Sequence, residues 1–386
     1  MKTLHSLLWG ALLALATLFA SCTNPAPAPQ RILFLAIGQS NMVGKGVVSA
    51  EDSIVSPRFL NLASTTTDDR QVGEWRVAIP GNCRPGHDYP NYVSLTDHFG
   101  KTLLEYLPET DTIGVLQVAV DGCPMRLFDP DQYQGFVDSC QMEWMNGQLD
   151  AYDRKPYERL VTLAKQAQSE GWVIRGILVH QGETDAYSDY WPKETDRVYR
   201  NLLNVLSLKA EDVPLIAGEA IGIDQNGVCC HCNPTIDRLH DFVPTGWTVS
   251  AYGCQKGPDN LHFSAEGYHR LGRRYAIKWL QLNGYDVADD ADSKLQSELG
   301  DPNDAFQVDV IFRPASAWSQ EQLVIASAVA LESVDIVSYS GAKLATVELG
   351  GTQTAELDIA PYKDEDRLVL NIKAASGEVV NKQVNR

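Results

Sequence analysis

The chain has 386 residues, 44% of them apolar and 21% charged, with a formal net charge of −18. That length and apolar content allow a core of ordinary size and predict a main domain with a smaller companion. The acidity excludes nucleic acid and anionic lipid as partners, because phosphate binding needs clustered Lys and Arg. The first 22 residues place Lys2 and His5 ahead of an apolar run from Leu7 to Ala20, the form of a targeting segment. From Arg31 to about Gly284, strand-like and helix-like stretches alternate. Ile32 to Ile37 is a continuous apolar run, as in a strand buried on both faces. Tyr92 to Tyr106 has helical spacing, and Thr112 to Val120 is strand-like again. Tyr157 to Glu170 is helical and stops at Gly171, a C-terminal cap signal. Val173 to Val179 is a third strand, followed by a helical pattern from Pro192 to Leu208. Val213 to Ala217 and Trp247 to Ser250 are two more strands. Ser264, with Glu266 close behind, caps a last helix through Leu282. This alternation predicts right-handed crossovers and a three-layer α/β domain over 31–283. Residues 284 to 304 hold seven acidic side chains against one Lys, which predicts a solvated linker over 284–305. Short β-branched runs between Gly and Asp turns then predict a small antiparallel β-sandwich over 306–386.

The targeting segment ends in Phe19-Ala-Ser-Cys22, which resembles a bacterial lipoprotein cleavage box with Cys22 as the lipidated residue. The Pro-Ala repeat that follows makes 23–30 an extended tether. Export to the cell envelope on a lipid anchor is the expectation. The alternative is an ordinary secretory signal cut near Ala20. Seven cysteines remain beyond Cys22. Cys229, Cys230 and Cys232 around His231 invite a metal reading. However, the adjacent side chains of Cys229 and Cys230 point apart, and no second Cys or His pair completes a tetrahedral set. Disulfides are therefore expected, with the pairing open.

In a parallel α/β sheet, functional groups gather where strands end and helices begin. Four such exits carry unusual polar residues. Gly38-Gln39-Ser40-Asn41 puts a hydroxyl at a helix start, either as a nucleophile or as a helix cap. It is not a Gly-x-Ser-x-Gly elbow, since Met42 takes the place of the second glycine. Asp259-Asn260-Leu261-His262 spaces a carboxylate to reach imidazole Nδ1 and leave Nε2 free as a base, or it is a plain turn. His180-Gln181-Gly182-Glu183 offers an amide donor, while Glu183 can complement a helix dipole. Asp121-Gly122-Cys123 can present a bare N–H, or is a turn glycine.

The blocks "IGQSNM", "VLQVAVDG", "ILVHQGETDA" and "DNLHFSAEGYHRLG" resemble the SGNH hydrolases, and within them the sialate O-acetylesterase and acetylxylan esterase branch. The resemblance covers about residues 31 to 282. It implies a flavodoxin-like sheet of about five parallel strands, with no metal and no organic cofactor. Carried over residue by residue, it makes Ser40 the nucleophile, His262 the general base and Asp259 its orienter. The oxyanion hole would be the N–H groups of Ser40 and Gly122 with the Gln181 side chain. Gln39, Asn41, Glu183 and Arg126 are left as substrate or structural positions. Cys123-Pro124-Met125 departs from the family's usual Gly-Gly-Thr/Ser pattern after the oxyanion glycine.

The implied activity is an exported serine esterase that removes O-acetyl groups from an oligo- or polysaccharide, acetylated xylan or O-acetyl sialoglycans. Alternatives are a non-catalytic glycan-binding surface lipoprotein and a lipase-like hydrolase of longer acyl chains. The C-terminal stretches "VDIVSYSGAKLATVEL" and "LVLNIKAASGEVVNKQV" faintly resemble the C-terminal sorting domains of Bacteroidetes surface proteins. A plain accessory sandwich is the other reading.

Overall fold

A computed structural model describes residues 29–85, 90–186, 190–290, 308–313, 321–338, 342–365 and 367–385. The targeting segment with Cys22, the tether up to residue 28 and residues 291–305 of the acidic linker lie outside the described residues.

Thirty-one to 282 forms a seven-stranded sheet between two helical layers. In chain order the elements are β1 (Arg31–Gly38), α1 (Ser40–Val43), β2 (Phe59–Leu62), β3 (Trp75–Val77), α2 (Leu95–Tyr106), β4 (Thr112–Ala119), α3 (Tyr133–Ser139), α4 (Glu143–Asp150) and α5 (Pro156–Ser169). They continue with β5 (Val173–His180), α6 (Tyr190–Val205), β6 (Leu215–Gly218), α7 (Asn233–Asp237), α8 (Leu239–Phe242), β7 (Gly246–Val249) and α9 (Ala265–Leu282). The strand order is β3-β2-β4-β1-β5-β6-β7. All neighbours are parallel except β2 and β3. The five expected strands are all present. Two more, of four and three residues, extend the edge beyond β4. They are too short to show a period in the sequence.

Alternation along β1 sets the layers. Leu33, Leu35 and Ile37 enter one core with side chains of α3, α4, α5 and α6. Ile32, Phe34 and Ala36 enter the other, against α2 and α9. Phe34 meets the rings of Phe99 and Trp279 edge-on at 4.7 and 5.2 Å. The chain leaves β1 toward β2 and β4 on one side and returns to β5 on the other. The crevice at the carboxyl ends of β4, β1 and β5 is therefore the place where a doubly wound sheet binds ligands.

Residues 285–290, expected as the start of a solvated linker, instead pack on the domain. Arg270 and Arg274 of α9 draw Asp290 onto the domain at 3.1 and 2.9 Å, and Tyr285 and Val287 pack on the core. The C-terminal residues form an all-antiparallel sheet of β8 (Val308–Arg313), β9 (Gln322–Ser338), β10 (Lys343–Asp358), β11 (Arg367–Ala374) and β12 (Val379–Asn385). One edge of the long β9 pairs with β8 over its first half and with β11 over its second. That arrangement folds the sheet around its own core of Leu323, Ile325, Val334, Ile336, Leu368 and Leu370. Among the described residues no helix is long and apolar enough to cross a membrane.

Candidate active site

β1 delivers Ser40. The strand ends at Gly38, where a Cβ would lie 2.1 Å from the His180 carbonyl oxygen, so only glycine lets β1 and β5 close at this end. The same carbonyl accepts the Gln39 N–H at 3.1 Å. Gln39 is the N-cap of the single turn α1, and Ser40 is its first residue. Ser40 therefore does not cap the helix. Its Oγ lies 2.9 Å from His262 Nε2, and the residue is only 5% exposed.

His262 belongs to the irregular loop between β7 and α9. Its Nδ1 is 2.6 Å from Asp259 Oδ2, while Asp259 Oδ1 accepts the backbone N–H groups of Leu261 and His262 at 3.0 and 2.9 Å. Burial raises the Asp259 carboxyl, but these hydrogen bonds outweigh it and hold the group below the ordinary carboxylate range. Asn260 takes the left-handed conformation that closes the turn, at φ +57°, a conformation that Asn tolerates better than most residues. The Asp–His spacing seen in the sequence is thus a bonded pair, and its far nitrogen meets the serine.

Asn41 ties the two segments together. Its amide donates to Glu183 Oε1 at 2.6 Å and to the Leu261 carbonyl at 3.0 Å. Its oxygen accepts the Tyr268 hydroxyl at 2.7 Å and the Phe263 N–H at 3.3 Å. The backbone on either side of His262 is therefore held by one buried side chain, which Glu183 anchors in turn. Both residues support the loop from inside the protein, and Tyr268 of α9 is a member of this network that the sequence did not single out.

Gln181 is placed differently from the expectation. It is buried, and its amide nitrogen donates to Asp185 Oδ1 at 2.7 Å, with Gln39 Oε1 and the Cys123 carbonyl at 3.2 Å. Its oxygen accepts from Trp191 Nε1 at 2.5 Å. With Gln39, Cys123 and Asp185 as its acceptors, the side chain braces Gln39 and the turn after β4 in this structure. Burial raises the Asp185 carboxyl to about 6. The N–H groups of Ser40 and Gly122 make no hydrogen bond to a described residue. They are donors that a developing oxyanion could use.

Gly122 lies on the turn after β4 in the left-handed region, at φ +62°. The residues that break the family pattern are structural, since Cys123 and Met125 are buried and Cys123 Sγ donates to the Gly38 carbonyl. Arg126 is exposed, 5.1 Å above the Phe136 ring. It faces Asp185 electrostatically, and no contact links it to Ser40 or His262.

Two clusters bear on metal binding. Asp52, His98 and His269 hold possible ligand atoms within 4.8 Å of one another. However, the imidazoles are stacked, with centroids 3.7 Å apart and planes 17° from parallel. Two imidazoles converging on one tetrahedral ion would hold their centroids about 5 Å apart. The arrangement fits an Asp52–His269 hydrogen bond at 2.7 Å with His98 stacked on the imidazole, beside a cavity of about 600 Å³ whose lining does not include Ser40 or His262. The seven described cysteines are free thiols, so the expected disulfides are not formed in this structure. Hydrogen bonding to Cys229, and then burial, pushes the Cys232 thiol up.

Residues 30–281 match the sequence profile of a family described as carbohydrate esterase, sialic acid-specific acetylesterase. A probable carbohydrate esterase of Arabidopsis thaliana is 24% identical over 289 residues, 66% of this chain and 92% of its own. The structure is similar to that of NanS at 16% identity and a TM-score of 0.48, over 66% of this chain and 98% of the other. It is also similar to that of a carbohydrate acetylesterase from Xanthomonas citri at 13% identity and a TM-score of 0.46, over 92% and 80%.

Proposed function

The chain belongs to the sialic acid-specific acetylesterase family of carbohydrate esterases, and from that premise we propose that it deacetylates carbohydrates through an acetyl-serine on Ser40. The observation that carries the proposal is the continuous Asp259–His262–Ser40 relay, with contacts of 2.6 and 2.9 Å.

In the proposed reaction His262 Nε2 takes the Ser40 proton as Oγ bonds to the acetyl carbon. The carbonyl oxygen becomes an oxyanion, held by the N–H groups of Ser40 and Gly122. The bond to the sugar oxygen then breaks, and that oxygen takes the proton from His262. Water, deprotonated by the same imidazole, attacks the acetyl-enzyme and releases acetate. Asp259 stays ionised, fixes the tautomer and balances the imidazolium. Acetylated xylan and O-acetyl sialoglycans are both within this reading, as are export and a lipid anchor at Cys22.

Acetate release from each substrate by the wild type and by Ser40→Ala tests the activity. Loss in the variant is expected, with an acetyl adduct on Ser40 in acid-quenched wild type. Equal rates in the two proteins would remove Ser40 from the mechanism. Labelling of Cys22 by a fatty acid in cells tests the anchor, and release of unlabelled protein would refute it.

A further inference from the structure

Trp144 has no part in the chemistry above, yet it stands beside it. The residue is on α4 and 53% exposed, and most other large aromatic side chains of this domain are at least half buried. The inner edge of its indole lies on the oxyanion turn. A Cβ on Gly122 would come within 2.9 Å of Trp144 Cη2. Glycine at 122 therefore serves twice, for its positive φ and for the close approach of this ring.

The helix that carries the ring is also held firmly. Gln148, one helical turn along the same face of α4, accepts the Asp121 N–H at 2.8 Å and donates to Asp121 Oδ2 at 3.2 Å. Met145, fully buried between them, anchors the helix in the core. Two Gln148 hydrogen bonds and the Trp144 edge thus bind α4 to the Asp121–Gly122 turn, and about half of Trp144 stays open to solvent.

We propose that Trp144 is the platform on which a pyranose ring of the substrate stacks while its acetyl group enters between Gly122 and Ser40. The proposal rests on the carbohydrate esterase reading above. A pyranose presents a face of C–H groups to which the electron-rich face of an indole is complementary. Such a face supplies contact area without demanding a particular hydroxyl pattern. It would separate sugar acetates from acetates that have no ring to stack. The weak hydrogen bonds and dispersion involved act on substrate and transition state alike, so the effect belongs mainly in KM.

The test compares acetylated xylooligosaccharides and 9-O-acetylated sialyllactose with ethyl acetate, in the wild type, Trp144→Ala and Trp144→Phe. In Trp144→Ala the ratio of kcat/KM for sugar acetate over ethyl acetate is expected to fall about tenfold, as one stacking contact implies. Trp144→Phe should keep most of the ratio. A ratio unchanged in Trp144→Ala overturns the platform alone. A wild type with no preference for either sugar acetate overturns the carbohydrate reading and the platform with it. A second measurement needs no turnover. In Ser40→Ala, the acetylated xylooligosaccharide or the sialyllactose ester should perturb tryptophan fluorescence, and Trp144→Phe in that background should remove the change. A change that survives refutes the stacking.

Discussion

The two partners of the Ser40–His262 contact are held in place by different physics. Ser40 follows a strand with seven consecutive buried residues and opens a turn whose four residues are all buried. His262 lies on a loop without regular structure, and its partner Asp259 keeps 49% of its side chain exposed. The serine is positioned by hydrocarbon packed on both faces of a sheet, a restraint spread over many residues. The histidine is positioned by a few directed hydrogen bonds, from Asp259 beside it and Asn41 beneath it. A single substitution should therefore displace His262 far more readily than Ser40.

The largest effect removes the contact altogether. Ser40→Ala should lower kcat by about 10⁴-fold or more while leaving the unfolding midpoint nearly unchanged, because the core holds this turn. Marked unfolding would contradict the claim that packing alone positions the residue. Next, Asp259→Asn should cost about 10²–10³-fold in kcat, since an amide cannot fix the same tautomer or balance the imidazolium. A sign follows for stability. The Asp259 carboxyl is held below its ordinary value of 3.8. Its stabilising share is thus present above that value and is lost as pH falls through the lower folded one. The stability difference between wild type and Asp259→Asn should shrink below about pH 4, as read by denaturant titration at several pH values. A difference that grows on acidification would reverse the assignment.

The same contrast decides how much could be read from the sequence. Of the five expected strands, β1, β4 and β5 were the most legible, because short apolar runs bounded by turn residues and alternating with helical patterns fit strands buried on both faces. β2 and β3 were not, and neither was α4, whose Glu-Trp-Met-Asn-Gly-Gln-Leu-Asp mixes helix formers with Gly and Asn; tertiary contacts hold it. Asp259 and His262 were legible as a pair because His262 follows only three positions after Asp259. The work of Asn41 was not, because its partners lie 142, 220, 222 and 227 positions away. Gln181 shows a subtler limit. Its residue type announced a donor, but only the fold shows that Asp185, four residues on, takes that donor inward.

Asn41 is where the comparison can be pressed further. Asn41→Ala removes the two bonds that Asn41 makes to the backbone flanking His262 and is expected to lower kcat about 10–10²-fold. Loss of its buried hydrogen bonds should cost roughly 2–3 kcal/mol. Asn41→Asp should be worse for stability, because it sets a second carboxylate against Glu183. Full activity in Asn41→Ala would mean that Asp259 and the Gly257 N–H bond to the His262 carbonyl hold the loop without it.

The smallest effect on rate is expected at the serine end. Ile37 is fully buried, three residues before Ser40 in sequence. Ile37→Val should cost about 1 kcal/mol of stability by opening a methyl-sized space in the core. Yet β1 is bonded on one side to β4 and on the other to β5 up to Gly38, and both ladders survive the change. The Ser40 backbone then has nowhere to move, and kcat should stay within about twofold of wild type even though the protein unfolds earlier. A rate loss that follows the stability loss would show that Ser40 depends on individual side chains as closely as His262 does, and the distinction between the two ends would fail.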